Sequence, residues 1–397
     1  MSVNRRNLFL VVAGAMFVSV VMAAIFVPDW LESRRQAEAA RLEQECQLLA
    51  EDGNWEGLEV VAVQWTKVDP QAADAWLNAA EAVQQQGRLD ETIEFLLQVP
   101  QKDPKSRHAF LYASEMQLGE ARQPAQGLET LARLRRMAPA SEAVRSKLIS
   151  LYAMTLQREQ MIEEIRDAFQ YRAEPPEAYV YLMIADHLSF TNGFQLNTQW
   201  LAAEPDSELF AVARSLQLAD TLRKLENQTP ETQIQREAAE AELVNLSEKF
   251  PQNRTLILAA IRTAIDDEDV AQVGQLLDSL PAAVEPDSLS LRYKGWHLMK
   301  TGQAAEAEQA YLKSIALLPL DWHSWHELAN VLRQQARLED AAAAAELAVI
   351  GKELRKDCMA LPDAGQANPE LLSRMYSYAS AVGANDVAAA IRFRLGY

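Results

Sequence analysis

The 397-residue sequence has few of the residues that build catalytic or metal sites. It has two cysteines, Cys46 and Cys358, which lie far apart and outside any CxxC or Cys/His spacing, and only five histidines. A disulfide scaffold and a cysteine-based zinc site are therefore not expected. The sequence also contains no phosphate-binding glycine-rich loop, no GxSxG and no HExxH. It predicts a protein that is not an enzyme and that carries no cofactor or resident metal.

Features of β-sheets and of nucleic-acid binding are missing as well. Val, Ile and Thr rarely alternate with polar residues, and there are only 14 glycines and 16 prolines. Because almost half of the residues are hydrophobic, 49%, and Ala and Leu are abundant, the composition favours an all-α protein with little disorder. The formal net charge of −18 leaves no basic stripe that could displace counterions from phosphates, so no nucleic-acid partner is predicted.

One long apolar run stands near the N-terminus. Residues 8–27 read LFLVVAGAMFVSVVMAAIFV without a charge, and Arg5 and Arg6 precede them. As a helix this run measures about 30 Å, the thickness of the hydrocarbon core of a bilayer. It predicts a single-pass signal-anchor helix with the large C-terminal domain on the non-cytoplasmic (periplasmic) side, and the alternative is a cleaved signal peptide.

Prolines recur with a period near 34 through the rest of the chain. Proline ends a helix because it lacks an N–H donor and its ring clashes with the preceding turn. A repeated spacing of this kind indicates a series of helical hairpins. Pro70, Pro104 and Pro139 are 34 and 35 residues apart, Pro205 lies about two periods on, and Pro251, Pro286 and Pro319 are again 35 and 33 residues apart.

The residues between these prolines carry a known signature. Trp325-x-x-Leu328-Ala329-x-x-Leu332 has the spacing W-x-x-L-G-x-x-Y, with Ala for Gly and Leu for Tyr. An earlier copy reads Trp76, Ala80, Val83, Gly87, Thr92, Leu96, Val99 and Pro104. The chain therefore resembles the tetratricopeptide repeat family. The resemblance implies a right-handed α-solenoid of helical hairpins that bury their apolar faces against their neighbours.

The predicted organisation has six parts. Residues 174–287 match the repeat pattern less well than the stretches around them, and the last part contains a link and two helices that could cap the solenoid. The parts are a tail (1–7), a transmembrane helix (8–27), an N-terminal repeat array (28–173), degenerate repeats (174–287), a C-terminal repeat pair (288–356) and a C-terminal helical cap (357–397).

The family resemblance also implies a binding surface. The first helix of each hairpin lines a concave groove in this family, and in the last two hairpins its groove positions hold cationic and aromatic residues. Arg grips a carboxylate through two parallel hydrogen bonds, and Asn can hold an extended peptide backbone. The predicted peptide-binding residues are Arg292, Trp296, His323, His326, Asn330 and Arg333.

The predicted function is a membrane-anchored scaffold that binds protein or peptide partners in this groove and assists the assembly of an envelope or membrane-associated complex. Two alternatives stay open. The repeats could deliver substrate to a separate catalytic partner, or His297, His323 and His326 could form part of a metal site. Solvated groove residues with no ligand are the plainest interpretation of the same positions.

Overall fold

The structure, a computed structural model, describes residues 30–187, 189–190, 192–225, 229–281 and 285–396. Within these ranges the regular structure is helical and no strand occurs, which confirms the predicted all-α class. The chain divides into two compact units at Met137 and Ala138. The predicted boundaries at residues 173, 287 and 356 stay predictions.

Unit 1, described over residues 30–137, is a series of antiparallel helices that contact mainly their neighbours in sequence. Its first core contains Leu42, Cys46, Leu58, Ala62 and Trp65, all of them buried, so Cys46 is a small core residue. The helices are α1 (described over residues 30–51), α2 (Trp55–Val68), α3 (Ala73–Gln85), α4 (Leu89–Gln98), α5 (Lys105–Leu118) and α6 (Pro124–Met137).

Unit 2, described up to residue 396, contains fourteen described helices. They are α7 (Glu142–Met154), α8 (Arg158–Tyr171), α9 (Glu177–Met183), α10 (Gly193–Ala203), α11 (Glu208–Lys224), α12 (Pro230–Lys249), α13 (Arg254–Asp266), α14 (Val270–Asp278), α15 (Ser288–Lys300), α16 (Ala304–Leu317), α17 (Trp322–Gln334), α18 (Leu338–Met359), α19 (Pro369–Ala381) and α20 (Asn385–Arg394).

Five of the seven periodic prolines stand two residues beyond a helix end, as predicted, whereas Pro104 and Pro286 stand just before the starts of α5 and α15. Helix α2 ends at Val68 before Pro70, and α16 ends at Leu317 before Pro319. The repeated Glu-Pro-Asp-Ser sequence opens a helix at both of its sites. In the first copy the Ser207 side chain accepts from the backbone of α11, and in the second the Asp287 side chain accepts from that of α15. Sequence alone therefore located most of these helix ends.

After Pro70 and Pro319, the side chain of a signature tryptophan donates a hydrogen bond to the backbone carbonyl of the proline. Nε1 of Trp76 donates to the carbonyl oxygen of Pro70 at 3.0 Å, and Nε1 of Trp325 donates to that of Pro319 at 2.8 Å. Both donors stand six residues after the proline. In the hairpin α7–α8 the same place is taken by Arg145, whose Nε and Nη2 donate to the carbonyl oxygen of Pro139 at 3.0 and 2.8 Å.

The C-terminal helices of unit 2 contact its first hairpin as well as its last. Helix α19 packs on α18, as a cap would, and α20 packs on α19 and also contacts α8. The largest core of the unit combines residues from both ends of it, among them Ile149, Ile165, Tyr179, Leu354, Tyr378 and Ile391. The two ends of unit 2 are therefore joined through one hydrophobic core.

The predicted transmembrane helix, residues 8–27, lies outside the described residues. Among the helices that the structure does describe, none is both long enough and apolar enough to cross a bilayer. The predicted single-pass membrane location, with the large domain on the periplasmic side, is corrected by this finding.

Candidate functional site

Of the six predicted groove residues, Arg292 and Trp296 are buried, His323 and Asn330 are half-buried, and His326 and Arg333 are exposed. On α15, Arg292 and Trp296 are only 8% and 9% exposed. Trp296 packs in a core with Ile261, Val273 and Tyr293, and Arg292 is enclosed by acidic side chains. The expectation that these two residues face an open groove is therefore wrong, because other parts of unit 2 cover that face of α15. Their role in partner binding stays a prediction.

Arg292 is the centre of a buried ionic network. Its Nη1 donates to both carboxylate oxygens of Asp321, at 2.7 and 2.8 Å, and its Nη2 lies 3.6 Å from Oδ2 of Asp186. Asp321 also caps α17 and accepts from the hydroxyl of Ser324 at 2.7 Å. Arg292 thus links the start of α17 to the turn that follows α9.

Two more basic side chains, one from α18 and one from α17, also lie close to the carboxylate of Asp186. Nη2 of Arg355 and Nδ1 of His323 each lie 3.5 Å from its carboxylate. Burial disfavours the charged form of Asp186, but Arg292, His323 and Arg355 outweigh it and lower the pKa of this carboxyl. In the same way Arg292 outweighs the burial of Asp321 and lowers its pKa. Both carboxylates are therefore ionised at neutral pH, and the network is an internal ion cluster.

The remaining three predicted residues lie on one face of α17, where His326 and Arg333 are exposed and Asn330 is half-buried. His326, Asn330 and Arg333 stand at positions i, i+4 and i+7, so they share that face. Nη1 of Arg333 donates to Oδ1 of Asn330 at 2.7 Å, which fixes the guanidinium while leaving its other N–H groups exposed. In contrast with Arg292, Arg333 has no ion pair among the described residues. We call His326, Asn330 and Arg333 the α17 stripe.

A cavity of about 270 Å³ lies elsewhere in unit 2, between α7, α8, the turn after α9, α13 and the start of α15. Its polar lining includes three arginines, Arg158, Arg254 and Arg262, and three carboxylates, Glu159, Asp186 and Asp287. His187 also lines it and meets Phe190 edge to face, with ring centres 5.3 Å apart. Burial, followed by the charge of Lys224, lowers the pKa of His187 to about 4, so this imidazole is neutral at pH 7.

The histidines of the metal alternative lie on α15 and α17. Among the residues that the structure describes, no group of three or more His, Cys, Asp and Glu side chains could hold a metal ion. The metal alternative therefore gains no support from the geometry.

Sequence reasoning missed the acidic partners of the network and the whole cavity. Asp321 could have been identified from the sequence, because an Asp that follows a periodic proline and opens a helix is placed to pair with a cation of the preceding hairpin. Asp186 and Arg355 could not, since they are 169 residues apart in sequence and meet only in the folded unit.

Successive helical hairpins with a conserved geometry at each turn define a helical-repeat protein. The sequence profile of the tetratricopeptide repeat family matches residues 60–107 and 294–355. These two stretches carry the tetratricopeptide repeat, and the resemblance noted in the sequence is confirmed. Such repeats are typical of protein–protein interaction scaffolds.

Several solved structures resemble the chain. A tetratricopeptide repeat protein from Parabacteroides merdae is 11% identical, with 66% of this chain and 99% of that chain covered and a TM-score of 0.32. Yeast Tom70 is 12% identical, with 88% and 97% covered and a TM-score of 0.27. A chain of the APC/C hetero-tetramer Cut9–Hcn1 is 12% identical, with 90% and 78% covered and a TM-score of 0.32. No curated protein sequence matches the chain significantly.

Proposed function

We propose that the chain is a scaffold that binds a protein partner, and that an extended segment of the partner lies along the α17 stripe. The observation that supports this most directly is the contrast between the two arginines predicted to bind. Arg292 is enclosed by Asp321 and Asp186, whereas Arg333 is exposed and held only by Asn330. Arg333 can therefore form a bidentate pair with a carboxylate of the partner.

The stripe offers three kinds of polar group in one row. His326 and Arg333 provide donors at its ends, and the amide of Asn330 lies between them. Trp322, one turn before His326, lies at 6.4 Å from it between ring centres and provides an aromatic surface. Because Asn330 already orients Arg333, less side-chain entropy is lost when a partner binds.

Two further expectations from the sequence are outside this proposal. The right-handed winding of the repeats stays a prediction. The role in assembling an envelope complex rested on the predicted membrane anchor, which the described helices do not provide.

The test is affinity purification of the full chain from its native source. The unaltered protein would be compared with a variant carrying His326→Ala, Asn330→Ala and Arg333→Ala. The control variant, Gln309→Ala with Lys313→Ala, changes exposed polar residues at positions i and i+4 of α16. We expect one protein to co-purify with the unaltered chain and the control, and to fall roughly tenfold or more with the stripe variant, because a few exposed anchors carry most binding energy. Equal recovery with all three chains would show that another surface binds the partner.

A further inference from the structure

A groove of unit 2 lies between α11, α12, α13 and α14 and contains no residue of the α17 stripe. It encloses about 510 Å³. An apolar cavity of about 150 Å³ holds one benzene molecule, so the groove has room for on the order of three groups of that size. We call it the α12 groove. Its apolar lining includes Leu216, Leu243, Val244, Leu256, Ala260 and Leu276.

The apolar and polar side chains of the α12 groove differ in exposure. Leu216 and Leu256 are each only 4% exposed and form its floor. Asp220 is also buried, but it pairs with Lys224 at 2.6 Å and with Arg262 at 3.3 Å. The other polar side chains of the lining are exposed and form its rim, namely Arg223, Glu240, Ser247, Glu248, Thr263 and Gln272. An apolar floor with a polar rim is the arrangement of a protein-binding surface.

An occupant of the α12 groove has to satisfy its own backbone hydrogen bonds. The four walls are helices, whose interior backbone groups bond within the helix, so these walls present no strand edge to an extended segment. The charged groups nearest the floor, Asp220 and Arg262, are paired with each other. A helix buries one face without requiring partners for its backbone, and an amphipathic helix in an apolar groove is a recurring mode of recognition.

The rim determines which charge the occupant carries. Glu240 and Glu248 line the groove from α12, and neither carboxylate has an ion pair or hydrogen bond among the residues that the structure describes. The cation of the rim, Arg223, lies 4.0 Å from Asp266. The turn between α13 and α14 adds four consecutive acidic residues, 266–269. Negative charge therefore prevails around the groove and attracts a basic segment.

The spacing of the two free carboxylates matches a helix. Glu240, Val244 and Glu248 stand at positions i, i+4 and i+8 of α12, so they share one face. Eight residues of helix rise about 12 Å, which is also the distance between two side chains on one face of a partner helix two turns apart. Val244, between the carboxylates, is 59% exposed and is available to an apolar side chain.

We propose that the α12 groove binds an amphipathic helix of a protein partner, whose apolar stripe enters the groove and whose Lys or Arg side chains, two turns apart, pair with Glu240 and Glu248. This inference goes beyond the proposed function, because it involves neither the α17 stripe nor an extended segment. It assigns to unit 2 a second binding surface with the opposite charge preference.

The test uses the intact chain and three labelled synthetic peptides of about 18 residues, long enough to form a helix. The first has leucines at i, i+3, i+4 and i+7 with lysines on both sides of them. The second has glutamate in place of each lysine, and the third has the composition of the first in an order that scatters the leucines. Binding would be measured by fluorescence anisotropy in about 0.15 M salt. We expect saturable binding of the first peptide and at least about tenfold weaker binding of the other two.

A substitution in the wall assigns the binding to the groove. Val244→Arg places a long cationic side chain between the two carboxylates and should lower the affinity for the lysine peptide at least about tenfold. Val349→Arg makes the same change on α18, where the valine is 61% exposed, and should leave the affinity unchanged. Thermal unfolding of both variants would establish that they are folded.

A second pair of variants tests the two carboxylates. Glu240→Gln with Glu248→Gln should weaken the lysine peptide about threefold to tenfold, as expected for the loss of two exposed ion pairs. Glu346→Gln with Glu353→Gln removes the same charge from exposed positions of α18 and should have no effect. An equal loss in both double variants would show only a long-range attraction to an acidic chain and would overturn the inference.

The remaining outcomes are equally decisive. Equal binding of the lysine and glutamate peptides would overturn the assignment of a basic helix, and an affinity that survives Val244→Arg would place the site elsewhere. No saturable binding up to about 1 mM would overturn the inference altogether. The variant of the α17 stripe should bind the lysine peptide as the unaltered chain does, so the failure of one surface leaves the other standing.

Discussion

The hairpins α3–α4 of unit 1 and α7–α8 of unit 2 follow the same repeat pattern but are held in different ways. In α3–α4 the place six residues after the proline holds Trp76, and the turn holds Gly87. In α7–α8 the same two places hold Arg145 and Leu156. Both hairpins keep the hydrogen bond to the proline carbonyl and the left-handed turn. The backbone geometry is therefore retained although the side chains that maintain it differ.

The two hairpins differ more strongly in how far along the chain their polar contacts reach. The ion pairs of α3–α4 reach about one repeat along the chain, as between Lys105 and Asp74. Some polar contacts of α7–α8 reach much further, since Arg158 forms an ion pair with Asp287, 129 residues away, and Arg166 donates a hydrogen bond to the carbonyl oxygen of Leu317, 151 residues away. Residues that depart from the signature thus occur where the hairpin also carries long-range contacts.

The largest predicted effect comes from restoring the signature residue in α7–α8. Arg145 is 1% exposed, and its Nη1 lies 2.5 Å from Oε1 of Glu164 and 2.7 Å from Oδ2 of Asp167. Arg145→Trp keeps a donor for the Pro139 carbonyl but removes the cation that faces the buried Glu164. We expect a loss of about 3–5 kcal/mol in the free energy of unfolding, measured by chemical denaturation.

A second variant distinguishes charge from packing in that result. Arg145→Trp combined with Glu164→Leu should recover most of the loss, because the buried carboxylate is then absent as well. If the double variant is as unstable as the single one, the shape of the site and not its charge makes the signature residue unacceptable there.

The next largest effect is a pH dependence of folding stability that originates in unit 2. The pKa of His187 is lowered to about 4 in the folded chain, against an ordinary value near 6.5. Above pH 6.5 the imidazole is neutral in both states. Between about pH 6.5 and 4 the unfolded chain binds the proton more readily, so stability is lost as the pH falls through this window.

We expect this loss to amount to about 1–3 kcal/mol, and His187→Gln should remove it from the pH profile of thermal unfolding. The histidine of unit 1, His108, is exposed and provides the matched control as His108→Gln, which should leave the profile unchanged. Identical profiles for all three chains would contradict the buried, neutral state of His187.

The smallest effects concern the turns. Gly87 has φ of +77° with no atom within 4 Å of an added Cβ, so Gly87→Ala should cost about 1 kcal/mol through backbone conformation alone. Ala336 occupies the corresponding turn of α17–α18 with φ of +59° and is exposed. Ala336→Gly should therefore stabilise by up to about 1 kcal/mol, and unfolding measurements that gave both changes the same sign would refute this account.

The sequence was sufficient for the local features and insufficient for the site. Helix ends depend on residues close in sequence, so the spacing of the prolines located most of them. The exposure of Arg292 and Trp296 could not be found in this way. For Arg292 it depends on the turn that contains Asp186, more than 100 residues earlier, and no repeat pattern predicts which distant segment covers a given helix face. Trp296 packs in a core with Ile261 and Val273 of the preceding hairpin.

The joined core of unit 2 has a consequence for synthesis on the ribosome. The described helices of unit 1 contact mainly their sequence neighbours, so each can pack soon after it emerges. The largest core of unit 2 includes Ile149 and also Ile391, and it cannot be completed until Ile391 has been translated. Until then the apolar faces of α7, α8 and α9 lack their C-terminal partners, which makes the nascent second unit the part of the chain most dependent on chaperones.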